Sequence, residues 1–387
     1  MRIVELGEVA TIDRRSVDPS SVAPKTIYLG LEHIERGGRI IGTDTVGGAE
    51  LASTKFVFSP EHVLFGKLRP NLGKVSRPNF AGVCSTDILP IRPGTELDRD
   101  YLAQYLAQPA MVEFAASRTS GANLPRLSPS VLARFPLPLP PLPEQRRIAS
   151  ILDRADAIRA KRRHVVAHLD SLTQAIFHDM FGDPSDARWE QVPFGDVIAR
   201  VDNGTSPNCE ARPADDHEWG VLKLGAVTYG RFQADLNKAY LGDVGKMTVN
   251  EVRTGDVLMT RKNTRDLVGA VALVDRVRPK LLLPDLIFRL HLDSARLDRR
   301  YFQALMMNPG KRPLVRDLSS GSASSMPNIS KARLTSLPIE LPPLPLQHEF
   351  ADQIERIDLQ RTSVAQALAA DDELFASLQS RAFRGEL

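Results

Sequence analysis

The sequence of 387 residues contains an internal repeat, and this repeat limits the possible folds more than any other feature. The motif LDRDYL at residues 97–102 returns as LDRRYF at 297–302, and LPPLP at 139–143 returns at 341–345. A glutamine follows each proline-rich copy, two positions after its last proline. Because the matches keep their order at a nearly constant offset, we interpret the chain as a tandem duplication of a unit of about 200 residues.

Each unit begins with a globular part, residues 1–143 and 183–345. Both parts mix short apolar stretches, turns and short helical patterns, which is typical of an α+β domain. The predicted strands are residues 62–65, 72–75, 256–259 and 269–274, and the predicted helices are 100–106 and 300–306. The proline-rich segment of residues 136–143 is predicted to be a rigid spacer between the globular domain and the helical part of the unit.

Each unit ends with a helical part, residues 144–182 and 346–387. Apolar residues recur there at spacings of three and four, as in the a and d positions of a coiled coil. These positions are Ile148, Ile151, Ala155, Ile158, Val165, Leu169, Leu172 and Ile176 in the first copy, and Phe350, Ile354, Ile357, Val364, Leu368, Phe375, Leu378 and Ala382 in the second. Three polar residues at the same spacing, Arg162, Arg361 and Asp371, are predicted to set the register of the pair.

The two helical parts predict a pair of long antiparallel helices. A helix of about 38 residues is ~57 Å long. Packed on each other, two such helices would give the chain a pseudo-twofold axis and hold the two globular domains apart at a fixed distance. The predicted fold is therefore α+β, with two tandem globular domains separated by two long antiparallel coiled-coil helices.

This architecture indicates a DNA-binding protein, because duplex DNA also has twofold axes. Proteins with such symmetry address two half-sites about one helical turn, ~34–36 Å, apart. Since the two domains differ in sequence, we expect the half-sites to differ as well, with an unread spacer between them. Arginines outnumber lysines about three to one, which suits contacts to guanine and phosphate, although a GC-rich genome gives the same bias.

Composition excludes several classes of protein. The formal net charge is +3, the hydrophobic content is 42% and the charged content is 25%, as in a folded globular chain. No apolar run is long enough for a membrane span, and no secretory signal opens the sequence. Two cysteines, Cys84 and Cys209, are too few for a disulfide framework. Cytoplasmic residence is the expectation.

Two kinds of segment are candidates for DNA contact in each unit. The first is a basic, amide-containing loop, with Lys67, Arg69, Asn71, Lys74 and Arg77 in copy one and Arg261, Lys262, Asn263 and Arg265 in copy two. The second is a small-polar segment before each proline-rich stretch, with Arg118, Ser120, Asn123 and Arg126 in copy one and Ser320, Ser322 and Asn328 in copy two. A solvated loop face and a flexible linker are the respective alternatives. The loop of residues 202–212 is a weaker third candidate.

The sequence lacks the common catalytic motifs. It contains no GxxxxGK[ST] phosphate-binding loop, no HExxH pair and no GxSxG elbow. An Asn/Asp-Pro-Pro-aromatic tetrad of the kind that holds an amine for methyl transfer is also missing. We therefore predict a protein that is not an enzyme and holds no cofactor or metal.

The order of motifs resembles the S (specificity) subunits of type I restriction-modification systems. The resembling elements are LPPLPEQ at residues 139–145, WEQVP at 189–193, GDVLM at 255–259, MPNIS at 326–330 and AFRGEL at 382–387. The resemblance implies that each globular part is a target recognition domain and that the helices are a conserved spacer. It also implies that modification (methyltransferase) subunits, two of them, dock on this chain, that restriction (translocase-nuclease) subunits join them, and that these partners methylate adenine or cleave double-stranded DNA.

Two other functions remain open from the sequence. The chain is alternatively a coiled-coil scaffold whose globular domains bind proteins, in which case removing the basic loop residues leaves its activity intact. As an unrecognised nuclease, it would need a metal-binding acidic cluster, for which Asp215, Asp216 and Glu218 are the candidates.

Overall fold

The computed structural model describes residues 2–121, 123–186, 188–320 and 326–387. The chain forms two compact units, of which the first consists of Met1–Arg163 and Gln366–Leu387 and the second of His164–Ala365. Each unit thus holds one globular domain, part of the first long helix and part of the second. Both units mix helices and sheets, which confirms the predicted α+β class.

The first unit contains a four-stranded sheet, a five-stranded sheet and a separate pair of strands. Its strands are β1 (Arg2–Glu5), β2 (Ala10–Ile12), β3 (Ser16–Val17), β4 (Ile27–Leu29), β5 (Asp44–Thr45), β6 (Lys55–Phe58), β7 (Val63–Gly66), β8 (Val75–Ser76), β9 (Gly82–Cys84), β10 (Ile88–Pro93) and β11 (Pro136–Leu139). Its helices are α1 (Leu6–Val9), α2 (Arg99–Ala107), α3 (Pro109–Ala116), α4 (Pro129–Ala133) and the beginning of α5 (Leu142–Phe181). The sheets have the orders β2-β10-β7-β8 and β3-β6-β9-β4-β5, and β1 pairs with β11.

The second unit repeats this plan with fewer strands in one sheet. Its strands are β12 (Gln191–Pro193), β13 (Ile198–Asn203), β14 (Trp219–Leu222), β15 (Asn237–Tyr240), β16 (Val257–Thr260), β17 (Val271–Leu273), β18 (Leu281–Leu282), β19 (Ile287–Leu292), β20 (Ser319–Ser320), β21 (Asn328–Ile329) and β22 (Pro338–Glu340). Its helices are α6 (Arg299–Met307), α7 (Arg312–Asp317), α8 (Lys331–Thr335) and the beginning of α9 (Leu344–Arg384). The sheets have the orders β13-β19-β16-β17 and β15-β14-β18, β12 pairs with β22, and β20 pairs with β21.

The topologies of the two domains show the duplication directly. The antiparallel sheet β2-β10-β7-β8 of the first unit has the same order as β13-β19-β16-β17 of the second. The parallel pair β4–β9 likewise corresponds to β14–β18. The central strands β7 and β16 are buried along their whole length, as expected for the continuous apolar runs that predicted them.

Each long helix is locked to its domain by a buried glutamine that is part of the sequence repeat. Gln145 is fully buried, accepts a hydrogen bond from the Asp98 N–H at 2.8 Å and donates to the carbonyls of Glu96 and Pro140 at 2.8 Å. Gln347 makes the same three bonds, accepting from the Asp298 N–H at 2.8 Å. Asp98 and Asp298 in turn cap α2 and α6. The capped helix and the long helix are therefore joined at one buried point in each unit.

Helices α5 and α9 run antiparallel in the first unit, as the sequence predicts. Arg147 near the start of α5 donates to the carbonyl of Leu387 just beyond α9, at 2.7 Å, and Arg159 farther along α5 pairs with Asp372 at 2.6 Å. Arg162 pairs with Asp371 at 2.8 Å, a contact between the two helices that agrees with the register-setting role predicted for each of these residues.

In the second unit the end of α5 packs against the beginning of α9. Phe177 and Phe181 contact the ring of Phe350, with ring centroids 5.8 and 5.4 Å apart. Both also pack on Tyr301 of α6. An aromatic cluster therefore joins the helix pair to the domain core.

The predicted apolar spacing is wrong in the middle of α5. Ile158 and Val165 are 49% and 43% exposed, whereas Ile148 and Leu169 are buried. Near Ile158, Arg159 and Arg162 form ion pairs with Asp372 and Asp371 of α9. Arg361 pairs within its own helix, with Asp358 at 3.8 Å. No helix in the part of the chain that the structure describes is long and apolar enough to span a membrane.

The proline-rich segment that was predicted to be a rigid spacer is partly a strand. β11 (Pro136–Leu139) pairs antiparallel with β1, with Leu137 opposite Val4 and Leu139 opposite Arg2. Prolines at alternate positions leave the leucine N–H groups free for pairing, which an edge strand tolerates. The hydroxyl of Tyr101 donates to the carbonyl of Pro138 at 2.7 Å and fastens this strand to α2.

Candidate nucleic-acid interface

The basic loop and the small-polar segment lie against each other in both units. In the first unit, the N–H of Leu127 donates to the carbonyl of Lys67, and the N–H of Arg69 donates to the carbonyl of Pro125, both at 2.9 Å. In the second unit, the N–H of Ile329 donates to the carbonyl of Arg261 at 3.0 Å, and the N–H of Asn263 donates to the carbonyl of Pro327 at 3.3 Å. The basic loop and the small-polar segment, which were predicted as separate candidates, thus form one candidate site in each domain.

Three residues of the first basic loop present side chains that are free to bind a ligand. Arg69 and Asn71 are exposed and Lys67 is half-buried. Within the described residues, none of these three side chains makes a hydrogen bond or ion pair. A cation that has no protein partner retains its full attraction for phosphate and for base edges.

Two other residues of this loop are engaged within the domain. Arg77 binds Asp153 of α5 through two bonds of 2.9 Å and Asp100 at 3.0 Å. Burial alone lowers the pKa of Arg77, but the hydrogen bonds and charges of the two carboxylates outweigh it, and the pKa is raised. The ammonium of Lys74 donates to the carbonyl of Leu31 at 2.7 Å. Arg77 and Lys74 therefore stabilise the domain through these contacts, and their side chains are not available for a DNA contact.

The small-polar segment of the first unit is held in place. Ser120 and Arg126 exchange two backbone hydrogen bonds of 3.0 and 2.9 Å. The guanidinium of Arg126 binds both carboxylate oxygens of Asp87, at 2.9 and 3.3 Å, and this contact raises its pKa. Arg118 stacks on the ring of Phe114, 3.4 Å from the centroid. These contacts argue against a flexible linker, and they leave Ser120 and the exposed Asn123 as polar groups at the surface.

The basic loop of the second unit is more fully paired. Arg261 donates to the side-chain oxygen of Asn328 at 3.1 Å, and Lys262 lies 4.0 Å from Asp285. Arg265 is exposed and lies 3.6 Å from Asp317, which is also exposed. The amide of Asn263 is buried and donates to the hydroxyl of Thr228 at 3.1 Å.

In the second unit, the described ends of the small-polar segment pair as two short antiparallel strands. Ser320 in β20 lies opposite Asn328 in β21, and Asn328 forms a β-bridge with Lys262 of the basic loop. Ser322 lies outside the described residues.

A third segment borders the site in each unit, and the sequence analysis missed it. In the first unit, a 3-10 helix of Leu31–His33 receives the ammonium of Lys74. In the second, Thr228, which binds Asn263, follows the 3-10 helix of Leu224–Ala226, and the next residue, Tyr229, is 67% exposed.

A weak sequence signal marks this third segment. Gly37 and Gly230 stand 193 positions apart, and both have positive φ, at 87° and 74°, a conformation that glycine adopts without strain. Arg36 and Tyr229, which precede these glycines, are both exposed. Matching glycines between the copies would have identified the segment.

The third candidate loop, residues 202–212, forms ion pairs with the acidic cluster that follows it. Arg212 binds Glu218 through two bonds of 2.6 and 2.7 Å. Hydrogen bonds from Arg212 lower the pKa of Glu218 to about 2. Within the described residues, no group of His, Cys, Asp and Glu is arranged to hold a metal ion.

The sequence matches a known family of DNA-specificity domains. The family model described as "Type I restriction modification DNA specificity domain" matches residues 1–166 and 187–369. The chain belongs to this family, which is the one that its sequence motifs resemble.

The chain is similar to two curated relatives from Escherichia coli. It is 37% identical over 169 residues to the specificity subunit of the type I restriction enzyme EcoEI, covering 43% of this chain and 28% of the relative. It is 30% identical over 194 residues to the EcoDI specificity subunit, covering 49% of this chain and 42% of the relative. The alignments thus span less than half the length of these relatives.

The fold is also similar to a solved structure, the type I restriction-modification system S subunit from M. genitalium. The TM-score is 0.62 at 11% identity, and the match covers 99% of this chain and 96% of that chain. At this identity the likeness concerns the fold alone.

Proposed function

We propose that the chain is the DNA sequence-specificity subunit of a type I restriction-modification complex. It binds a bipartite, asymmetric target in duplex DNA and directs methylation or cleavage by partner subunits, and it performs no chemistry itself. The observation that carries this proposal is the repeated site, in which the same two backbone hydrogen bonds join a basic loop to a polar segment in each of two duplicated domains. Membership of the specificity-domain family supports it.

The globular domains and the long helices have different roles, and each role occurs twice because the chain is duplicated. Residues 1–143 and 183–345 are the two target recognition domains, and residues 144–182 and 346–387 are the spacer helices. Each recognition domain reads one half of the target. Because the side chains of the two sites differ, the two halves differ in sequence, and the DNA between them is not read.

The chain acts with partner subunits. Two modification (methyltransferase) subunits bind it, and restriction (translocase-nuclease) subunits join that core. The specificity subunits among its relatives are described as parts of type I restriction enzymes, which supports this assembly. We propose that the complex acts in the cytoplasm.

The charges of the sites determine how binding responds to salt. Each lysine or arginine that neutralises a phosphate releases counterions, so log K falls with log[salt] with a slope of about −0.9 per contact. Lys67, which is half-buried and has no side-chain partner within the described residues, is best placed for such a contact. We expect sequence-independent affinity to decline between low and physiological salt.

The test is to co-express the chain with a type I modification subunit and to map methylated adenines across a plasmid library. A single bipartite motif with two fixed halves and a spacer of fixed length and unread sequence is the expected result. Exchanging residues 1–143 for another recognition domain should change only one half of the motif. Methylation without any bipartite motif, or a motif that changes in both halves, would contradict the proposal.

A further inference from the structure

Arg69 has a backbone conformation that arginine seldom adopts. Its φ and ψ are 49° and 60°, in the left-handed region. Within the described residues, Lys280 is the other residue besides glycine with a positive φ. The position is further disfavoured because proline follows Arg69, and the residue before a proline is driven towards extended backbone. Glycine or asparagine would occupy this corner at lower cost.

The surrounding structure holds this corner from both sides. The N–H of Arg69 donates to the carbonyl of Pro125 at 2.9 Å, and its carbonyl accepts from the N–H of Leu72 at 3.0 Å. Pro70 is buried beneath it. Strained backbone persists where its surroundings determine it, and such positions cluster at binding and catalytic sites.

The side chain of Arg69 differs from those at the two comparable positions. Lys280, also strained, has its ammonium bound to the carbonyl of His217 at 2.9 Å. Asn263 makes the equivalent backbone bond in the second domain, but its amide is buried against Thr228. The guanidinium of Arg69 is exposed and, within the described residues, has no partner. The strained corner therefore presents a free cation at a fixed place beside the polar segment.

We propose that Arg69 is the guanine-reading residue of the first recognition domain and that the second domain has no counterpart to it. This inference rests on the proposed function. An arginine donates two parallel hydrogen bonds to O6 and N7 of guanine in the major groove, and this fork distinguishes guanine from the other bases. A backbone fixed before binding reduces the ordering that such a contact costs. Half-site one contains a guanine that Arg69 specifies, and half-site two is read by other side chains.

The experiment measures methylation selectivity of the complete complex for the wild type and for R69A, R69K and R69G. The DNA library varies every base of both half-sites. In R69A and R69G, one guanine position of half-site one should lose discrimination by about 5- to 150-fold, while half-site two is unchanged. R69K should recover at most part of the discrimination, because lysine can contact the same guanine atoms but lacks the planar fork.

Two controls separate base reading from the alternatives. R69G removes the side chain and also relieves the backbone, so it should melt at or above the wild-type temperature while losing selectivity, which excludes misfolding as the cause. K67A, altered two residues away, should weaken binding to all sequences alike and reduce the salt slope by about one.

The outcomes are distinguishable from failure of the proposed function. If the wild-type complex has no bipartite preference, the proposed function fails and this inference fails with it. If the wild type is selective and R69A and R69G keep its selectivity, only this inference is overturned. Uniform weakening of all sites by R69A and R69G, with a smaller salt slope, would make Arg69 a phosphate contact and would equally overturn it.

Discussion

Replacing Gln145 by alanine should strongly destabilise the first unit. The glutamine side chain is fully buried at the start of α5 and joins three backbone groups of two different segments. Its oxygen accepts from the Asp98 N–H, and its amide donates to the carbonyls of Glu96 and Pro140, all at 2.8 Å. Alanine leaves all three backbone groups without that partner.

The size of the effect follows from these three bonds. A hydrogen bond contributes a net of about 1 kcal/mol when both partners are satisfied, and a buried group left without a partner costs at least as much. Three bonds therefore account for ~3 kcal/mol. Loss of the buried methylene adds roughly 1 kcal/mol. We expect Gln145→Ala to lower the free energy of unfolding of the first unit by ~4 kcal/mol.

Urea unfolding of the full chain, followed by hydrogen exchange at the Asp98 amide, measures this effect. The amide of Asp98 should lose protection before the core of β10 does. Gln347→Ala should reproduce the loss in the second unit, because Gln347 makes the same bonds there. Gln174→Ala, at an exposed position of the same helix, is the matched control and should change stability by less than ~0.5 kcal/mol.

A loss of less than ~1 kcal/mol in Gln145→Ala would refute this reasoning. It would mean that water replaces the glutamine at the junction, so that the helix and the domain are not held together at this point. If Gln145→Ala lowers the free energy of unfolding as expected and Gln347→Ala does not, the buried glutamine does not stabilise the two units equally.

Three further predictions concern charged groups. Arg77→Ala and Asp153→Ala should show a coupling of about 1 kcal/mol in a double-mutant cycle, since the pair is bidentate but partly exposed; additive effects would contradict this. Lys311→Ala should lower the free energy of unfolding by ~3–5 kcal/mol, because it leaves Glu340 buried without the ammonium that lies 2.7 Å away. The double variant Lys311→Met, Glu340→Leu should recover most of this loss in urea unfolding. Burial, followed by the charge of Arg92, lowers the pKa of His62 below its ordinary 6.5. The stability that neutral His62 contributes is therefore present above pH 6.5 and is lost as the pH falls through the lowered pKa of the folded state. Urea midpoints at pH 7.5 and 5.5 should differ more in the wild type than in His62→Gln.

Much of the fold was predictable because the duplication repeats local signals. The helices predicted at residues 100–106 and 300–306 are α2 and α6, one residue longer at each end. The apolar repeats predicted α5 and α9 to within three residues at each end. Both helices begin two residues before the predicted starts, with Pro143 and Pro345 in their first turns, and α9 ends at Arg384, directly before Gly385. Of the predicted strand at residues 72–75, only the last residue lies in β8, because Pro70 and Gly73 favour a tight turn there.

The partners of charged side chains were not predictable from the sequence. Arg77 looked like part of a basic loop, but it binds Asp153, which lies 76 residues away in the chain. Arg126 is similarly paired with Asp87, 39 residues away. Composition and local spacing carry no information about such long-range pairs, so the sequence overestimated the number of free cations in both loops.

The two domains keep the backbone of the site and change its side chains. The same two backbone hydrogen bonds join loop and segment in both units, yet Arg69 is exposed where Asn263 is buried, and Lys67 is unpaired within the described residues where Arg261 binds Asn328. A backbone bond does not depend on the identity of the side chain, so substitutions at these positions leave the frame intact while altering which groups reach the surface. If the domains read DNA as proposed, a new target therefore requires a few changes within residues 67–71 or 261–265 and no change of fold.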